Sequence, residues 1–436
     1  MRLGQRTIQK TAHAPIILTG FQALNKLLGS SVYSSNEQLG GPTVMHPNGV
    51  SHLLVHSHME SVSAAIEWLA FVPSRRGAPL PVVDISGLDT IERPVVFRPA
   101  HGVPYDPRHL LAGFLVDSST SRNAFVPGFF DRASFVETLA GWAKTVIVGR
   151  ARLGGIPVGV IVTENRTVEA TKPADPADPS SQETTTPQAG GVWFPDSAHK
   201  TAQAINDFRS EDLPLFIFAN WRGFSGGQRD MFDEILKFGA MIVDALVGFS
   251  RPIFVYIPPH SELRGGAWVV VDSTINADVM EMFAADQARG GVLEATGIVE
   301  IKYRKQELIA TMRRLDPELA RLAQILERDK STETEPGARL SESDLAATEK
   351  RMKEREAKLL PIFNQIAIQA RELTFTRTHH SPVGSSASAH LLSPLTPASH
   401  LPLSRRHRCR LFLSRLSLSG RPPARRALAR VSPPSL

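Results

Sequence analysis

Along residues 1–375, short apolar runs give way to polar or glycine-rich turns and then to stretches whose apolar positions recur at helical spacing. Residues 15–20 read as a strand followed by a helix over Phe21–Leu28, and residues 49–55 as a second strand before a helix at 61–71. Further on, 156–163, 213–220 and 252–258 are compact β-rich runs, each closed by a turn signal, the last two by glycine-rich loops. Ser225 reads as the cap of a helix reaching residue 247, with Met231, Ile235, Phe238 and Ile242 on one face. After Gly265 and Gly266, residues 268–272 resume a β-like pattern. Alternating strands and helices imply parallel strands joined by crossover helices. The fold class is therefore α/β: two related units joined by a proline-dense linker at 72–98. Two long charged helices, 302–328 and 345–373, form an arm interrupted by the polar loop 329–344.

Composition changes this picture at one end. The 436 residues carry 49 Lys plus Arg against 43 Asp plus Glu. Residues 376–436 hold ten Arg with no Lys or acidic residue, so residues 1–375 alone have a net charge of −4. The basic excess belongs to the tail. Its twelve Ser and eight Pro give no stable period, and such a segment buries too little apolar surface to offset its ordering entropy. It reads as a disordered extension or an out-of-frame translation; the alternative is a nucleic-acid or acidic-lipid tether, since clustered Arg neutralises phosphates. The single Cys, Cys409, excludes a disulfide framework and a Cys-based zinc site. No apolar run reaches the ~20 residues of a membrane span; the longest candidate, 238–249, is interrupted by Asp244.

Four groups of residues carry possible chemistry. The run 221–229 (WRGFSGGQR) lies between a strand and a helix. Its glycines, Gly226 and Gly227, let a ligand approach the backbone, and free N–H groups there suit negative charge. Arg222 can take a carboxylate through two parallel bonds. A plain tight connection is the competing reading; a nucleotide-hydrolase phosphate loop is not, because no Lys-Ser/Thr follows the glycines. The run 262–266 (ELRGG) stands at the end of the next strand. Two glycine loops in equivalent positions favour one shared crevice at the carboxyl ends of the strands over a simple hairpin. In the loop 164–179, Asp175 and Asp178 are a carboxylate pair most simply read as turn and cap residues. His52, His56 and His58 share one strand face and read either as zinc ligands or as a polar strand end; no activating carboxylate stands out near them, which favours the strand end.

Residues 190–207 (GGVWFPDSAHKTAQAIND), 219–230 (ANWRGFSGGQRD), 256–259 (YIPP), 262–266 (ELRGG) and 300–304 (EIKYR) together resemble the carboxyltransferase domain of the multidomain eukaryotic acetyl-CoA carboxylases. The likeness runs nearly continuously over residues 2–325. It implies two crotonase-like subdomains, spirals of ββα units, in a homodimer whose active sites lie between one subunit's first half and its mate's second. It implies transfer of a carboxyl group from carboxybiotin to acetyl-CoA, giving malonyl-CoA for fatty acid biosynthesis. The biotin carboxyl carrier and the ATP-using biotin carboxylase domains are not in this chain, and no metal is implied. By the same resemblance, Arg222 holds the transferred carboxylate, and Gly265 and Gly266 donate backbone N–H groups at the reacting centre. Gly226 and Gly227 belong to the same site, while Lys302 and Arg304 hold coenzyme A.

Two departures from the family pattern set the expected organisation. The family's first subdomain begins earlier than Met1, so residues 1–85 are expected to be a partial first subdomain. Residues 86–375 form the second subdomain with its helical arm, and 376–436 the disordered tail. The alternatives are a propionyl-CoA-type carboxylase and a catalytically inactive dimerisation fragment. The expected location is the cytoplasm, with a plastid as the alternative. Partners are acetyl-CoA, malonyl-CoA and the carrier domain, without nucleic acid or a membrane span.

Overall fold

The computed structural model describes residues 6–90, 93–118, 121–285, 287–291, 299, 305–330, 340–378 and 429–430. They fall into two compact units, residues 1–290 with 380–436, and residues 291–379. The first unit is built on a seven-stranded sheet. Ile156–Thr163, Leu215–Phe218, Ile253–Ile257 and Met280–Ala284 run parallel, in register from Gly159 through Leu215 to Ile253 and Met280. Val146–Leu153 and Val136–Thr138 extend the sheet antiparallel on one side, and Ala429–Arg430 pairs antiparallel with the opposite edge. The helices Pro195–Ser210 and Ile235–Val247 lie between consecutive parallel strands, supplying the crossovers that parallel pairing requires.

The sequence Leu215-Phe-Ile-Phe218 shows why these strands are apolar without a break. Leu215 and Ile217 join the core beneath the helices, with Ala198, Ile205, Phe208, Ile242 and Leu246. Phe216 and Phe218 point the other way, into a cluster with Phe129, Phe130, Leu111 and Tyr256. A sheet covered on both faces needs apolar residues at both parities. Gly159 is required by this packing: a Cβ there would lie 2.4 Å from the Phe208 ring.

Several sequence expectations are corrected. Residues 15–20 form no strand; the strand lies at Ile8–Lys10, pairing parallel with Leu53–Val55. The second helix starts earlier, at His58, where the Ser57 side chain accepts from the Glu60 N–H at 3.1 Å. The helix expected over 225–247 is two, Gln228–Phe232 and Ile235–Val247, because Glu234 adopts a left-handed φ of 69° and breaks the ladder. Gly227, not Ser225, is its cap, and Met231 is exposed while Ile235 and Ile242 are buried. Residues 265–271 form a helix rather than resuming a strand, since burying Ala267, Trp268 and Val271 on one side outweighs the β-propensity of the valines. The proline-dense stretch has no helix or strand among its described residues, but it is strapped down: Arg93 donates to the carbonyls of Gly128 and Phe130, each at 2.7 Å.

A partly buried ionic cluster ties the N-terminal segment to the sheet unit. Arg6 donates to Glu211 (2.6 Å) and Asp207 (3.0 Å), and Arg150 donates to both oxygens of Glu211 at 2.7 Å. The Arg150 guanidinium lies 4.4 Å from the centre of the Trp68 ring and 5.2 Å from that of Phe208. Burial, with the Glu211 charge beside it, raises the Asp207 carboxyl to about 6 against the opposing pull of Arg6. Lys200, itself buried, donates to the carbonyls of Leu139 (2.9 Å) and Trp142 (2.8 Å). It thereby pins a turn in which Leu139 and Ala143 both have positive φ.

The second unit is helical: Lys305–Leu315, Pro317–Lys330 and Glu342–Thr378. The single helix expected over 302–328 is interrupted at Asp316, which accepts from the Leu319 N–H and from Arg355. Beyond Thr378, the expected disordered tail lies outside the described residues except for 429–430.

Candidate functional site

Three parallel strands end side by side, and the loops leaving Thr163, Phe218 and Ile257 enclose a cleft of about 110 Å³. Tyr105, Asn165, Gly190, Gly191, Arg222 and Glu262 are among the residues that line it. A polar chain fixes its floor. Asn220 N–H donates to Thr163 Oγ1 (3.1 Å), Asn220 Nδ2 donates to Asn165 Oδ1 (2.5 Å), and Glu262 N–H donates to Asn220 Oδ1 (2.9 Å). Burial pushes the Tyr105 hydroxyl up to about 12, keeping it protonated.

The two glycine loops meet here. Arg264 N–H donates to the Trp221 carbonyl at 3.0 Å, joining one loop to the other. Arg222 Nε lies 2.7 Å from Glu262 Oε1, and Arg264 Nε lies 3.1 Å from Glu262 Oε2. The loop around Arg222 is itself clamped: Arg222 N–H donates to the Gly191 carbonyl (2.8 Å) and Ser225 N–H to that of Trp193 (2.8 Å). Trp193 and Trp221 stack beneath it with ring centres 4.0 Å apart. Arg222 therefore projects from a rigid base while its side chain stays 64% exposed.

Gly226, Gly227, Gly265 and Gly266 sit beside the cleft rather than in its wall. A Cβ at Gly223 or Gly226 would meet nothing within 4 Å, so that backbone is open to a ligand. Gly227 precedes the helix Gln228–Phe232, and the Ser225 hydroxyl donates to Asp230. Gly265 has a φ of 56°, a conformation that favours glycine, and a Cβ on Gly266 would stand 3.3 Å from Phe224. The first amides of the helix Gly265–Val271 have no acceptor within the helix. Lys302 and Arg304 lie outside the described residues.

The remaining candidates have other roles. The Asp175 and Asp178 carboxylates accept from the N–H groups of Ala177 and Ser180, each at 2.9 Å, as turn residues do. His52 packs edge-on to Trp68 and lies 3.4 Å from Gln203, and burial lowers its imidazole to about 4. His56 contacts Thr11 and His58 contacts Lys10. Among the described residues, no group of three or more His, Cys, Asp or Glu side chains is placed to hold a metal ion. Sequence reasoning missed Tyr105 and the pairing of Asn165 with Asn220; an asparagine at the end of each of two adjacent strands was the available signal.

A family model described as a carboxyl transferase domain matches residues 1–393. The acetyl-CoA carboxylases of Dictyostelium discoideum and Schizosaccharomyces pombe are each 54% identical to the chain, over 376 and 374 residues respectively. A mitochondrial acetyl-CoA carboxylase of Saccharomyces cerevisiae is 52% identical over 375 residues. Each alignment covers 86% of this chain and 16% of the relative, so the chain spans about a sixth of their length. Among solved structures, transcarboxylase 12S with methylmalonyl-coenzyme A and methylmalonic acid bound superposes with a TM-score of 0.52 at 19% identity. That superposition covers 70% of this chain and 52% of the other, and it shows a shared α/β fold.

Proposed function

The chain belongs to the carboxyl transferase family, and from that we propose that it carries out the carboxyl-transfer half of acetyl-CoA carboxylation, moving a carboxyl group from carboxybiotin to acetyl-CoA to form malonyl-CoA for fatty acid biosynthesis. The observation that carries this reading is Arg222. It stands at the carboxyl ends of the parallel strands, its side chain 64% exposed and its closest approach to Glu262 made through Nε. A guanidinium so placed binds a carboxylate through two parallel bonds.

Carboxybiotin, delivered on a carrier domain, supplies the carboxyl group and a ureido nitrogen that takes the methyl proton. The backbone at Gly223 and Gly226, where an added Cβ meets nothing within 4 Å, is open beside Arg222. The chain's own residues then have three tasks. Arg222 orients the carboxylate. The amides of Gly265 and Gly266, with those of Gly226 and Gly227 nearby, face the charge that develops on the thioester oxygen as the enolate forms. Lys302 and Arg304 hold the coenzyme A phosphates.

We further assign residues 1–85 to a first subdomain, 86–375 to a second with its arm, and 376–436 to a tail outside the machinery. We assign it, as a homodimer, to the cytoplasm. Separately, among the described residues no helix is long and apolar enough to cross a membrane. The test is turnover of acetyl-CoA against propionyl-CoA by the full-length protein with carboxybiotin. A marked preference for acetyl-CoA is expected; equal rates or a propionyl preference would overturn the assignment.

A further inference from the structure

We propose that Glu262 is a positioning residue that presents Arg222 to the carboxylate it binds. A guanidinium offers a carboxylate two edges: a side edge that includes Nε, and an end formed by the two terminal nitrogens. The closest approach of Glu262 is at Nε, 2.7 Å from Oε1, an ionic contact on the side nearer the backbone, so the end is the edge offered to a ligand. The anchor is held better than the arm it carries. Glu262 is 23% exposed against 64% for Arg222. Its N–H donates to Asn220 Oδ1, and Arg264 Nη2 donates to its Oε1 at 3.1 Å. Asn220 is in turn fixed by Asn165. The opposite role is a competitor, a carboxylate seated where the ligand's should be. The two roles differ in sign, because removing a competitor tightens malonyl-CoA binding whereas removing an anchor slows its turnover.

This inference rests on Arg222 being the carboxylate clamp, and the experiment separates the two claims. In the full-length protein, Glu262→Gln keeps the size of the side chain and removes its charge. Biotin-dependent malonyl-CoA decarboxylation is expected to fall about tenfold in kcat, with acetyl-CoA affinity and Tm unchanged. Adding Glu262→Gln to Arg222→Lys is expected to cost little more than Arg222→Lys alone, because the two act as one unit. Unchanged kcat in Glu262→Gln, tighter malonyl-CoA binding, a parallel loss of acetyl-CoA affinity, or additive effects in the double variant would each overturn the positioning role. Should Arg222→Lys itself be as active as the parent, the clamp reading falls and this inference with it. If Arg222→Lys is impaired and Glu262→Gln is not, only the inference falls.

Discussion

Replacing Arg222 by lysine tests the chemistry at its centre. A lysine side chain ends near where the Nε–Cζ bond of arginine lies. At residue 222 the adjoining Nε is 2.7 Å from a Glu262 oxygen. The new ammonium would therefore settle on Glu262, and nothing would extend from it toward the ligand. What is lost is the pair of bonds from the terminal nitrogens to the carboxylate. Hydrogen bonds to charged groups contribute about 1.5–3 kcal/mol each. Because the Arg222 side chain is 64% exposed, solvent screening puts the loss near the bottom of that range for the pair together. About 1.5–2 kcal/mol corresponds to a roughly 10- to 30-fold fall in malonyl-CoA turnover. Acetyl-CoA lacks the carboxylate, so its affinity, measured by direct binding, should stay within twofold. A variant as active as the parent in biotin-dependent malonyl-CoA decarboxylation, or one losing acetyl-CoA affinity in parallel, would refute the argument.

Two further predictions concern the scaffold. Gly159→Ala puts a methyl group 2.4 Å from the Phe208 ring; overpacking of this kind costs about 1–3 kcal/mol, so the melting temperature should fall by several degrees and partly recover when Phe208→Leu is added, whereas an unchanged melt would show that the strand and helix separate freely. The Asp207 carboxyl is raised from 3.8 to about 6 in the folded protein, so its contribution to stability is full below pH 3.8 and lost as pH rises through 6. Relative to the parent, Asp207→Asn should gain about 2 kcal/mol between pH 4 and pH 6 in chemical denaturation; a difference independent of pH would contradict the burial argument.

Much of the scaffold was legible because its physics is local. The helix Phe21–Leu28 and the strand Ile156–Thr163 coincide with their apolar patterns residue for residue. Where local preference and packing disagree, the sequence misleads. Residues 268–271 are Trp and three valines, a strand by propensity, yet they finish a helix because Trp268 and Val271 fall together on its buried side. The break at Glu234 is a single left-handed residue with no glycine to announce it. At the candidate site, the glycine loops and Arg222 were visible as motifs, since their chemistry lies in consecutive residues. The partnership of Arg222 with Glu262 joins residues forty apart, and that of Asn165 with Asn220 spans fifty-five. Neither spacing is periodic, so nothing short of the folded sheet brings these pairs together.

The ionic cluster at Arg6 has a bearing on how the chain assembles. Its contact with Glu211 spans 205 positions. Loop-closure entropy grows only logarithmically, about 0.6 kcal/mol for each doubling of length, so so wide a closure weakens the finished protein little. Its effect is on timing. Glu211, at the end of the helix Pro195–Ser210, does not reach Arg150 on the sheet until that helix has docked, and contacts of such long range form slowly. The strand Ile8–Lys10 and its partner Leu53–Val55 form a separate two-stranded sheet, outside the seven-stranded ladder. They can thus join late and detach early, opening as a unit while the parallel strands keep their protons. Synthesis runs the other way, with residue 6 made long before residue 211, so the strand Ile8–Lys10 must wait for its docking site.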